Sequence, residues 1–174
     1  MIENGFYIVE TEFLNLIEQL GGTYNDKKNR PVFCCIEDRY IKGLYWAIPT
    51  SDLSHRSKEQ IAKYKKFEKL RNTDIRHSYY HVGESNKKCV YRISSCFPII
   101  DKFIAHKYEV KEEHFILQNP YEIKAIRKKL FRILQLENKI PNKFEQHITD
   151  IREYLIRELQ QENNCEYEED WELE

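Results

Sequence analysis

Apolar residues come in short dense runs through the first two thirds of the chain and at three- and four-residue spacing through the last third, a pattern of strands followed by helices. GFYIVE, from Gly5, reads as a first strand. Thr11 then caps a short helix with Phe13, Leu16, Ile17 and Leu20 on one face, and Gly21 and Gly22 stop it. The polar loop TYNDKKNRP ends at Pro31, which has no amide to give a ladder and suits a strand start. VFCCIE and LYWAI, joined by a connector holding Lys42 and Gly43, predict an antiparallel pair. Residues 52–72 are charged, with Ile61, Tyr64 and Phe67 or Glu68 at helical spacing, and predict a helix with a basic solvent face. HSYYHVGESNKKCVYRISSCFPII predicts a hairpin turning over residues 84–87, then an apolar edge interrupted by Pro98.

After a short element across residues 107–117 the pattern becomes helical. Asn119 caps, Pro120 occupies the first turn, and Ile123, Ile126, Leu130, Ile133 and Leu134 form the buried stripe. Asn142 is the expected cap of a last helix with Phe144, Ile148, Ile151, Leu155 and Leu159 inward. Strands first and helices last predict an α+β fold, a compact domain with an antiparallel sheet and two C-terminal helices; a doubly wound parallel sheet would need helices between most strands.

Composition narrows this to one domain over residues 1–160, followed by an acidic end, 161–174, read as a flexible tail. Charged residues make up 33% and no apolar run approaches the roughly 18 residues of a membrane span, so no membrane partner is expected. MIENGFYIVE has no basic leader, and the cytoplasm is the default compartment. Five cysteines without a CxxC pair read as buried thiols in a reducing compartment, with no metal site and no cofactor expected. The net charge of −1 conceals an asymmetry: the seven acids from Glu162 onward face no Lys or Arg, and without them 28 bases stand against 22 acids, a body of net +6. Such a body tolerates a polyanion, and the tail is either a solvated end or a weak internal competitor for a basic groove.

Only five glycines are present, and there is no phosphate-cradling glycine loop, HExxH or GxSxG. What remains is a collection of cations and hydroxyls in KKNR and TSDLSHR. Cutting RNA without a metal requires help for 2′-OH attack, stabilisation of phosphorane charge and protonation of the leaving oxygen. Arg30, Thr50, Ser51 and His55 hold that kit: guanidinium for charge, hydroxyls for oriented donation, imidazole for proton transfer. Arg30 starts the second strand and Thr50 and Ser51 end the third, so antiparallel pairing would bring them together. Each residue also has a plainer reading. Thr50 and Ser51 could cap the following helix, with Ser51 or Asp52 bonding its free amides, Arg30 could pair with Glu37 or Asp38, and Tyr24 could be core or a base-stacking platform. Lys28, Arg56 and Lys65 would contact flanking phosphates, and Lys124, Lys128 and Arg132 form a second basic row at four-residue spacing.

FYIV, TYNDKKNRP, GLYWAIPTS and KKCVYRISSCFPI resemble the toxins of type III toxin-antitoxin systems, the ToxN, AbiQ and CptN group, and most of all the CptN branch, over roughly residues 4 to 155. The resemblance implies a MazF/Kid-like, strongly twisted antiparallel sheet with added helices, and a sequence-preferring, metal-independent endoribonuclease. It implies as partners a small RNA antitoxin of repeated pseudoknots, which the toxin processes and which inhibits it, cellular or phage RNA as substrate, and a toxin-RNA ring. Growth arrest and phage defence are the implied role. Tyr24 matches the family's loop tyrosine, Arg30 its basic position before the second strand, and Thr50 and Ser51 its hydroxyl pair. The family's lysine after that pair is missing, with Asp52 and Leu53 in its place, leaving His55, Arg56 or Lys65 to take the role. Phe13 stands where some relatives have a tyrosine. A structured-RNA-binding module that does not cut, and a protein-interaction module using the acidic tail, are the alternatives.

Overall fold

The structure is a computed structural model that describes residues 1–24 and 30–171, with side chains as far as residue 161. Lys28 and the rest of its loop lie outside the described residues, as do the side chains of the acidic end.

Seven antiparallel strands make one sheet: β1 (Gly5–Val9), β2 (Val32–Glu37), β3 (Tyr45–Asp52), β4 (His81–Glu84), β5 (Lys88–Tyr91), β6 (Phe97–Ile99) and β7 (Ile104–Lys107). The order is β4-β5-β3-β2-β1-β7, with β5 and β6 meeting β3 in succession along one side. Two residue pairs form a separate small ladder, β8 (Glu109–Val110) with β9 (Glu113–His114). Four helices complete the described residues: α1 (Thr11–Gln19), α2 (Lys58–Glu68), α3 (Pro120–Lys139) and α4 (Ile148–Trp171).

Strand alternation explains why the apolar runs are continuous. Tyr7, Cys34, Tyr45 and Ala47 join a core with Phe13 and Ile17 of α1 and Ile151 and Leu155 of α4. Their chain neighbours Phe6, Phe33, Cys35, Trp46 and Ile48 join a second core with Ile126, Leu130 and Ile133 of α3. Both faces of the central strands are covered, so neither set of alternate positions can be polar. Pro98 is tolerated because β6 pairs with β3 alone.

Four local expectations are corrected. Thr11 is the first residue of α1, not its cap; Glu10 precedes it without a side-chain cap bond. The third strand runs on to Asp52, so Thr50 and Ser51 are strand residues rather than caps. Asp52 caps a single turn at Leu53–His55, and Ser57 caps α2 in a reciprocal box with Gln60. The last helix begins at Ile148, because the buried Glu137 carboxylate collects the amides of Asn142, Lys143 and Thr149, and Asn142 takes a left-handed φ of 53°. Its backbone continues as helix to Trp171.

Candidate functional site

The β2–β3 pairing sets Val32 opposite Pro49, which carries the residues before β2 alongside the end of β3. There Thr50 donates from Oγ1 to the Pro31 carbonyl at 2.7 Å, fastening the incoming loop to the strand. Beyond it, Ser51 Oγ accepts from two guanidinium groups: Arg56 Nη2 at 2.7 Å and Arg30 Nη1 at 3.4 Å. Arg56 gets there because the Leu53–His55 turn folds the chain back, closed by the Arg56 amide on the Leu53 carbonyl. A serine hydroxyl offers two lone pairs and one proton. With both guanidinium groups on its oxygen, Ser51 keeps the proton to donate.

No family model matches the chain. A search of curated proteins also finds no match.

Arg30 and Ser51 therefore meet, and Arg56 joins them. Arg30 is drawn away from Glu37 and Asp38, which sit at the far end of β2 holding the connector: Glu37 accepts from the Gly43 amide and Asp38 from Trp46 Nε1. Thr50 does not share this cluster. Successive strand residues face opposite ways, and no bulge interrupts the Thr50↔Tyr91, Ser51↔Val90, Asp52↔Cys89 register. Thr50 is a fastener for Pro31. His55 is not brought in either; its side chain is 81% exposed and its Nε2 lies 4.0 Å from Asp52 Oδ2. Asp52 is bound to Lys87 at 2.7 Å, and that contact, together with the Ser54 amide, holds its carboxyl well below the usual range. Its charge is thus largely spent before it can oppose an anion at Ser51.

Tyr24 is core. It lies edge-on to Phe97 with ring centroids 5.6 Å apart and offers no face for stacking. Arg132 donates to Ser78 Oγ at 3.0 Å and holds the turn at Ile75–Ser78, so it is a structural cation. Lys124 and Lys128 are exposed on α3. Lys65 is exposed on α2 and lines a cleft of ≈ 770 Å³ with Asp52, Ile61, Val82 and Gly83.

A charged network not anticipated from the sequence joins α2, the outer strand β4 and α3. Glu68 Oε1 accepts from Lys129 Nζ at 3.0 Å and from the Val82 amide at 3.0 Å, and lies 3.4 Å from His81 Nδ1. Glu122 takes His81 Nε2 at 2.6 Å, and Lys129 also donates to the Tyr80 carbonyl at 2.6 Å. The signal was present: Lys129 and Glu137 fall among Ile126, Leu130 and Ile133, where a helix stripe should be apolar, and a charge at such a place must find partners.

Proposed function

We propose that the chain is a metal-independent endoribonuclease, with Ser51, Arg30 and Arg56 at the reacting phosphate. The observation that supports this is two guanidinium groups sharing one serine oxygen at a strand end. An RNA phosphate entering between them takes over the guanidinium donors, which then balance charge on the nonbridging oxygens as the 2′-OH attacks. Ser51 donates its proton to one of those oxygens. Thr50 keeps Pro31, and with it Arg30, in place. The attack forms the 2′-O–P bond and breaks the P–O5′ bond; the proton given up by the 2′-OH passes to water, and water protonates the departing 5′-oxygen, leaving a 2′,3′-cyclic phosphate and a 5′-OH. In keeping with the resemblance, the activity is that of a growth-arresting, phage-defence toxin held in check by a repeated pseudoknot RNA.

The test is RNA digestion in EDTA with analysis of the ends. Cyclic phosphate and 5′-OH products, lost in Ser51→Ala and Arg30→Ala, support the reading; 5′-phosphate ends or a metal requirement overturn it. A second reading, a structured-RNA binder that does not cut, is favoured by the depth of Ser51, which is only 3% exposed. It predicts that Ser51→Ala still arrests growth with RNA binding intact. Tandem repeats followed by a terminator upstream of the gene would support the RNA-antitoxin partner.

A further inference from the structure

Helix α3 sorts its charges by face. Glu122 is bonded to His81 and Glu137 is buried in the turn to α4, so both of its carboxylates are engaged with neighbouring elements. Lys129 points inward to Glu68. Lys124 and Lys128 point outward, and neither has an ion-pair partner among the described residues.

Two aromatic side chains flank these lysines on the same side. Tyr121 is 84% exposed and Phe131 is 45% exposed, in a chain whose other phenylalanines are mostly core. At about 100° per residue, Tyr121, Lys124, Lys128 and Phe131 fall within an arc of about 80°. Their Cα atoms span about 15 Å of helix, with the lysines about 6 Å apart along the axis between the rings. An exposed ring, two unpaired cations and a second ring in one line match a single nucleic-acid strand, which presents stackable faces at intervals along a charged backbone. The body without the acidic end has net charge +6, of the right sign.

We propose that this stripe on α3 is a binding surface for single-stranded RNA, separate from the cluster at Ser51. The two lie on opposite sides of the sheet. α3 packs on the face carrying Phe33 and Ile48, whereas Ser51 alternates with the Tyr45 and Ala47 face covered by α1 and α4. A strand lying along α3 therefore does not occupy the Ser51 side of the sheet, and the surface does not depend on cleavage for its role.

The probe is a fluorescent 2′-O-methyl oligouridylate of about 15 nucleotides, which cannot be cut by 2′-OH attack and tests stacking without base preference. Tyr121→Ala and Phe131→Ala should each weaken binding about tenfold, and Tyr121→Phe should restore it, since the ring face is what stacks. Lys124→Ala with Lys128→Ala should flatten the salt dependence of log K by about 1.4, two contacts at about 0.7 each. All four side chains are exposed, so thermal midpoints should stay at the parent value. Unchanged affinity in both aromatic variants overturns the proposal. So does tight binding of an acidic peptide, such as residues 162–174, to a stripe that ignores the oligonucleotide. Cleavage is read separately on unmodified RNA with the parent chain: its absence would overturn the nuclease reading and leave the stripe's isotherms unaffected.

Discussion

At the scale of single residues, the site turns on which cation reaches Ser51. In the sequence, four and five positions beyond the serine, His55 is the expected proton-transfer group and Arg56 a contact to a flanking phosphate. The one-turn helix separates them: His55 is left in solvent beside Asp52, and Arg56 is turned back to 2.7 Å from Ser51 Oγ. Arg56→Ala should therefore lower the cleavage rate about 100-fold, the usual cost of one oriented donor to a developing oxyanion, while His55→Ala stays within about threefold. Single-turnover cleavage of one RNA by both variants checks this, and a loss in His55→Ala as large as that in Arg56→Ala would overturn it. Arg56→Lys should recover only part of the rate, because an ammonium cannot present the planar fork that spans hydroxyl and phosphate. The cysteines offer a contrast. Cys34, Cys35, Cys89 and Cys96 are buried and free, and burial raises all four thiols, Cys35 to about 12. Iodoacetamide at neutral pH should leave these four unmodified until the chain is denatured, as intact-protein and peptide mass will show.

At the scale of elements, Glu68 ties the end of α2 to the outer edge of the sheet. The Val82 amide that would otherwise face solvent donates to it, and Lys129 reaches from α3 to the same oxygen. Burial alone would push Glu68 up, but the hydrogen bonds from His81 and Lys129 prevail and bring it from 4.5 down to about 2. A carboxylate depressed in the fold stabilises it fully above its unfolded value of about 4.5, and that contribution drains away as pH falls toward about 2. Chemical denaturation across that window should show stability falling with acid, and Glu68→Gln should remove part of the slope. The same variant leaves Lys129 buried without its counter-charge and should cost about 3 kcal/mol at neutral pH, much of it recovered by adding Lys129→Met. Gly22 is a second tie: a Cβ there would stand 2.5 Å from the Gln146 carbonyl oxygen, so Gly22→Ala should destabilise by about 2 kcal/mol in urea unfolding. Elements whose signal is local were legible in the chain, including β1, the β2–β3 pair, the β4–β5 hairpin and the Asn119-Pro120 start of α3. What depended on distant partners was not. The length of β3 follows from its pairing with β5, the late start of α4 from Glu137, and the place of Tyr24 from Phe97. Arg30 with Ser51 was legible because register alone decides it; Thr50 was misplaced because a hydroxyl pair in sequence is not a pair on one face of a strand.

At the scale of the whole molecule, charge is divided along the chain while the fold divides it across the sheet. Residues 1–161 hold all 28 Lys and Arg against 22 acids, and the last 13 residues hold seven acids and no base. Removing residues 162–174 changes the formal charge from −1 to +6. Among the described residues, every core residue lies before that point, as do the hydrogen bonds of Ser51 to Arg30 and Arg56, so truncation should leave the thermal midpoint within a few degrees of the parent. RNA association should respond much more strongly. Long-range repulsion from seven carboxylates is screened beyond about 10 Å at 0.1 M salt, so their loss should raise the association rate several-fold at low ionic strength and very little at 0.5 M. Stopped-flow anisotropy with a labelled oligonucleotide separates the two possibilities for the acidic segment. A gain that fades with salt identifies diffuse repulsion. A gain that persists at high salt, and is reversed by adding the peptide 162–174 in trans, identifies a segment that occupies a basic surface and must be displaced before RNA can bind.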